Sequence, residues 1–214
     1  MNGHDLVSVL VLVQLAAPFG ALVAVGLPAL LGRPLGEVAT SRAVGTGFAA
    51  GFLAAVATLL LLLVRGFRPE LVDLATWFTV GHHETTIHLV ADALSVPYVC
   101  FTSGLCWIVN AFACKYLHRE PGFTRFFLLL ALFGTGMNLM VLADSIDMLF
   151  AGWEFVGISS TLLIGFFHER SNAVWAALRA FVTYRICDVG LLVASVVVHR
   201  AVGSGDFDRL FDVA

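Results

Sequence analysis

Three ionisable side chains in apolar surroundings carry the chemistry that this sequence could perform. Glu154 sits in the run Phe150-Ala-Gly-Trp-Glu-Phe-Val-Gly157, and Arg185 and Asp188 sit in Tyr184-Arg-Ile-Cys-Asp-Val-Gly190. An Asp at the centre of a membrane-spanning helix costs about 2.5–3.5 kcal/mol even on lenient insertion scales, so such groups mark ion or proton paths or charge pairs between helices. Arg185 and Asp188 are three apart, the spacing of neighbours on a helix surface. One guanidinium does not neutralise two carboxylates. The charge left over, assigned by position to Glu154, is therefore expected to hold and release a proton near neutral pH.

The elements that must position these groups follow from composition and patterning. The 214-residue chain is 59% hydrophobic and 13% charged, and its apolar blocks are long enough to cross a bilayer. This excludes a water-soluble enzyme, and a net charge of -3 without a basic cluster excludes a nucleic-acid partner. Six spans are predicted, 6–31, 43–64, 94–116, 126–143, 146–167 and 174–198, each helical because backbone groups in lipid must pair internally. The first lacks a basic leader region and runs for about 25 residues, too long for a signal peptide, so it is expected to stay in the mature chain. Pro18 and Pro28 should kink it or thin its end. Gly47 and Gly51 have the spacing of a close helix contact. Cys100, Cys106, Cys114 and Cys187 form no CxxC pair and read as small buried hydrophobes. Residues 1–214 are expected to form a single membrane domain.

Arg33, Arg42, Lys115, Arg119, Arg125, Arg170 and Arg179 fall on one side of these spans, and Arg65, Arg68, Arg200 and Arg209 on the other. The richer side should face the cytoplasm, which puts both termini outside. Between the second and third spans, 74–80 and 85–91 alternate around Gly81-His82-His83-Glu84, the pattern of an outer-side β-hairpin. His82, Glu84 and His88 have even spacing and could share a face, which permits a zinc site or simply a wet polar surface. The fold class expected is thus an all-α integral membrane protein of about six helices with one short hairpin.

On this topology the fifth and sixth spans run in opposite directions, and Glu154, Arg185 and Asp188 lie about 12, 14 and 9 Å below the outer boundary of a core about 30 Å thick. A shared depth lets adjacent helices bring all three together. Gly152, Gly157, Ser159, Ser160 and Thr161 around Glu154 leave room for water. Tyr184 belongs to the same expected hydrated path, and Asn138 in the fourth span either extends it or bonds helix to helix.

These residues carry a resemblance. Ala91-Asp-Ala-Leu-Ser95, Arg125-Phe-Phe127, the Trp153-Glu154 and Arg185-Asp188 runs, and Leu162-Leu-Ile-Gly-Phe166 resemble, in order and spacing, the N-terminal part of the largest antiporter-like subunit of respiratory complex I and its Mrp-type Na+/H+ antiporter relatives. The match is strongest over 91–198. It implies that Glu154 is the family's fifth-helix glutamate, which tunes a lysine on a later, broken helix, and that Arg185 and Asp188 are a gating ion pair. Tyr184 and Cys187 stand where the family often has Asn and Gly, and Arg179, a secondary candidate, stands where Lys is common.

Family members continue through broken helices bearing membrane lysines, whereas the one lysine here, Lys115, is near a membrane boundary. The resemblance therefore implies a partner polypeptide that completes the path within a larger translocase, and the use of arginine over lysine without a targeting segment fits a bacterial plasma membrane. No nucleotide, flavin, quinone or iron-sulfur signature is present, so no cofactor is expected and any redox or zinc chemistry belongs to a soluble partner subunit. Two alternatives remain at this stage: the membrane subunit of an energy-coupled inorganic-carbon uptake complex, and a non-conducting anchor.

Overall fold

The computed structural model describes the backbone of residues 3–66, 69–80, 83–203 and 205–207, and the side chains among these other than 3–4 and 74–87. Its elements in chain order are α1 (Gly3–Leu30), α2 (Glu37–Arg65), β1 (Glu70–Val80), β2 (His83–Ala91), α3 (Ser95–Tyr116), α4 (Phe123–Val141), α5 (Ile146–Ile164) and α6 (Ser171–Val202). All six helices are long and apolar enough to cross a membrane. The protein is a multi-pass all-α membrane protein with one small antiparallel sheet, as the patterning implied.

At six of their twelve ends the helices outrun their apolar runs, because polar residues take part in the end turns. Glu37 opens α2 and Arg65 closes it, where a carboxylate near the N-terminus and a cation near the C-terminus suit the helix dipole. Gly66 then ends α2 in the left-handed conformation and donates its N–H to the Leu62 carbonyl. In α1 the helix continues through Pro18 and stops two residues after Pro28. The chain there closes with the Arg33 N–H on the Pro28 carbonyl at 2.9 Å. α5 is shorter than its apolar run and stops at Ile164, since Gly165 and Phe166 form a turn back onto Thr161 and Leu163.

β1 and β2 pair from Glu70 opposite Ala91 to Val80 opposite His83, with register shifts between Asp73 and Ala75 and between Thr76 and Phe78. The strands thus begin earlier than the alternation suggested and take in His83 and Glu84. Of the zinc candidates, His82 and the side chain of Glu84 lie outside the described residues. His88 places Nδ1 2.6 Å from Asp73 Oδ1. β2 is also stitched to the link between α4 and α5, where the Val90 N–H donates to the Leu142 carbonyl at 2.9 Å.

The first four helices form the packed body. One apolar cluster, around Val25, Val44, Phe48, Phe127 and Leu130, joins α1, α2, α3 and α4. Another, around Val11, Leu62, Leu89, Val99 and Leu142, includes the base of the hairpin. Gly47 makes the close approach its spacing suggested: a Cβ there would lie 2.8 Å from the Ala21 Cβ and 2.9 Å from the Ala17 carbonyl oxygen. α5 lies against α4 through facing glycines, Gly136 and Gly152, where a Cβ on Gly152 would meet the Met140 backbone at 2.5 Å. α6 packs mainly on α5.

Because backbone rather than a flexible side chain blocks position 152, Gly152→Val should push α5 off α4 at an overpacking cost of about 1–3 kcal/mol. A lowered thermal midpoint in detergent, with no such loss for Gly190→Ala, where a Cβ meets open space, would be the expected pair of results.

Candidate functional site: an ionic cluster between α5 and α6

Among the described residues of α6, Asp188 is the only one that is buried. An apolar helix that buries a carboxylate and presents its valines and leucines outward has its polar stripe on the protein side, as a lipid-facing helix requires. Arg185, one turn earlier, reaches across to α5. Its Nη1 donates to both carboxylate oxygens of Glu154 at 2.8 Å and to Asp188 Oδ2 at 3.1 Å. The three groups that the sequence placed at one depth are in direct contact.

The charge excess is therefore shared, which differs from the expectation of an isolated Glu154. Glu154 is ion-paired, with Arg185 as the partner found for it, whereas Asp188 has a second donor in the indole Nε1–H of Trp153 at 2.9 Å. The difference arises because a guanidinium carries several N–H bonds and reaches two acids from one position. Asp188 is deeply enclosed, while the Glu154 and Arg185 side chains remain 21% and 37% exposed. The carboxylate bonded by Arg185 alone is thus also the more accessible one.

Aromatic rings hold the arginine in place. Its guanidinium lies 5.2 Å from the Phe181 ring centroid and 5.5 Å from that of Tyr184, within the range of cation–π attraction. The Tyr184 hydroxyl donates to the Trp153 carbonyl at 2.6 Å, and the two rings stack with centroids 6.0 Å apart. This fit needs Gly157, since a Cβ there would fall within the Tyr184 ring. Trp153 and Phe181 are the site residues that composition did not pick out. A buried indole N–H needs an acceptor, and a Trp beside a membrane carboxylate was the available signal.

The other candidates divide. Tyr184 joins the cluster. Thr161, seven residues after Glu154, shares its helix face, while Ser160 is turned about 120° away and donates to the Gly157 carbonyl at 3.1 Å. Arg179 and Tyr184 line an open groove of about 680 Å³ on α6 together with Asn172, Trp175 and Thr183. Asn138 belongs elsewhere: its Nδ2 donates to the Gln14 carbonyl at 2.8 Å and to Ser103 Oγ at 3.4 Å, and its Oδ1 accepts from Thr102 at 3.2 Å. Those bonds tie α1, α3 and α4 together rather than extending the cluster. Among the described residues no three His, Cys, Asp or Glu side chains gather as metal ligands.

Six helices long and apolar enough to span a bilayer, with an arginine shared between two acids in the seam of the last two, define a multi-pass membrane protein with a charged helix seam. Residues 143–214 match the family model described as NADH:quinone oxidoreductase/Mrp antiporter, TM, and residues 77–127 match that described as NADH-ubiquinone oxidoreductase (complex I), chain 5 N-terminus. The NADH-quinone oxidoreductase subunit L of Escherichia coli is 34% identical over 139 residues, covering 65% of this chain and 23% of the relative. The NADH-ubiquinone oxidoreductase chain 5 of Hippopotamus amphibius is 34% identical over 135 residues, covering 63% and 23%. A chain of the membrane-bound sulfane sulfur reductase (MBS), an archaeal respiratory membrane complex, superposes with a TM-score of 0.76 over 93% of this chain and 38% of its own, at 17% identity.

The chain belongs to the antiporter-like membrane subunits of the complex I and Mrp type. It corresponds to their N-terminal part and spans about a quarter of the length of the curated relatives it matches.

Trp153→Phe keeps the ring and removes the donor to Asp188. It should cost about 0.6 to 1.7 kcal/mol, the range of hydrogen bonds between membrane helices, read as a lower thermal midpoint in detergent. Arg185→Gln should lower it further, and adding Glu154→Gln to Arg185→Gln should recover part of that loss, the coupling that a double-mutant cycle measures.

Proposed function

We propose that this chain contributes half of a proton, or H+/Na+, translocation path in a multi-subunit membrane complex. Helices outside these 214 residues, bearing membrane lysines as the family resemblance implies, supply the rest. The observation that carries the reading is the shared arginine: one Nη1 within 2.8 Å of Glu154 and 3.1 Å of Asp188. Two acids with one base make a pair of alternative pairings. When Glu154 is ionised the guanidinium lies between both carboxylates. When a proton neutralises Glu154, the Coulomb attraction on that side vanishes and the arginine belongs to Asp188 alone.

Each residue then has a role. Glu154 is the proton carrier and Arg185 with Asp188 the gate, while Tyr184 and Thr161 flank a hydrated route and Arg179 lies in the groove on the open side of α6. Such a switch is local. It needs no redox group in this chain, and other subunits supply the energy. The membrane is a bacterial inner membrane in this reading, and the distribution of basic residues supports both termini on its outer side.

Glu154→Gln tests this in the assembled complex. Proton uptake by inverted membrane vesicles should fall to background while native gels show the complex intact, because the amide keeps a hydrogen bond to Arg185 but carries no proton. Uptake that persists at the original rate would reduce the cluster to a latch between two helices.

A further inference from the structure

Beyond the cluster, a second set of polar side chains occupies the same seam at the membrane surface where α5 begins and α6 ends. Ser195 Oγ donates to Asp147 Oδ1 at 3.0 Å, and His199 Nε2 lies 3.6 Å from Asp147 Oδ2. At about 100° per residue, Asp188, Ser195 and His199 fall within an arc of about 40° on α6, and Asp147 and Glu154 within about 20° on α5. Turned away from this stripe, Val189, Val193 and Val197 are 57–61% exposed, an apolar face. Asp147 and His199, with side chains 49% and 45% exposed, are therefore the surface end of the stripe whose buried end is Asp188.

We propose that Asp147, Ser195 and His199 form a proton-exchanging mouth that connects the buried cluster to water along the α5–α6 seam, an inference that rests on the translocation reading. The interval from Asp147 to Glu154, and from Ser195 to Asp188, is seven residues, about 10 Å. Ala151 and the half-exposed Leu192 occupy the intervening positions of the two stripes, and in this proposal a short file of water passes them to join the mouth to the cluster.

The chain after α6 covers one side of the mouth. The Ile146 N–H donates to the Gly205 carbonyl at 3.0 Å, and a Cβ on Gly205 would lie 2.6 Å from His199 Cε1. The charged groups nearby are Asp144 in the link before α5, Arg200 on α6 and Asp206 beyond it, with Asp144 and Asp206 engaged in contacts of their own. In the exchange step neutral His199 takes a proton on Nδ1 from hydronium or a protonated buffer, which leaves as water or free buffer, and passes its Nε2 proton to Asp147 Oδ2. The imidazole is left neutral and the carboxyl protonated, and the carboxyl then gives that proton to the file. The reverse order releases one.

Thiol accessibility tests the mouth without measuring flux. In membranes holding the assembled complex, with Cys187→Ser as background, Leu192→Cys should react with a membrane-impermeant, positively charged methanethiosulfonate added on the side where α5 begins. Val193→Cys, turned out of the seam, should stay inert. A Leu192 thiol as inert as Val193 would show a sealed seam and overturn the proposal.

Flux supplies the second reading. Asp147→Asn with His199→Gln should slow proton transfer about tenfold, the lower end of what local charge contributes to capture rates, and excess imidazole buffer should restore it. An unaltered rate, or a slowed one that imidazole leaves unchanged, would refute the mouth. A reactive Leu192 thiol together with full flux in Glu154→Gln would leave the mouth hydrated and defeat the translocation reading instead.

Discussion

The structure depends on one guanidinium shared by two acids. α6 packs mainly on α5, and Asp188 is its one buried residue. In lipid, apolar side chains gain little by meeting each other rather than hydrocarbon, so helix association relies on close packing and interhelical hydrogen bonds. Here the close packing is Tyr184 in the space left by Gly157, and the bonds run from Arg185 to Glu154, from Trp153 to Asp188, from Tyr184 to the Trp153 carbonyl and from Ser195 to Asp147. The groups that attach the helix are the same groups that could move a proton. Attachment and chemistry cannot be separated by a single truncation, which is why the amide and double substitutions are more informative than alanine.

The first four helices are built differently. Gln14, Thr58, Thr102, Ser103 and Asn138 are buried and bonded to one another or to neighbouring backbone across α1 to α4. Neutral amides and hydroxyls pair at modest cost where charges would not, although Gln14 Oε1 is buried without a hydrogen-bond partner among the described residues. The body is thereby fixed by uncharged polar bonds and glycine contacts, and the charged seam is added at its edge. α5 belongs to both parts, pressed on α4 through Gly136 and Gly152 on one side and facing α6 on the other.

Much of this was legible in the sequence. Apolar block length determines helix number, and strand alternation around Gly81 marks the hairpin, because both are properties of single segments. The contact of Glu154, Arg185 and Asp188 also follows from local facts, since antiparallel neighbours at equal depth have little choice. What could not be read were contacts fixed by the rotation of one helix against another. Nothing in the run around Trp153 says that its indole faces Asp188, and Asn138 bonds to α1 and α3 only because α4 is turned that way. Glu154 was expected to stand unpaired, since formal charge says how many acids exceed the bases and not how a forked cation divides itself. Helix ends moved by several residues because apolar windows do not register polar turns at the bilayer edge.

The hydrogen bonds at the seam also set a ruler. α6 is smooth and apolar over most of its 32 residues, so oily contact alone would let it slide along its neighbour almost without penalty. Displacement by one turn, about 5.4 Å, would part Arg185 from Glu154 and Asp188 from Trp153 simultaneously and strand a carboxylate in hydrocarbon. The helix consequently has one vertical setting, and during synthesis that setting cannot be chosen until α5 is already in the bilayer to receive it.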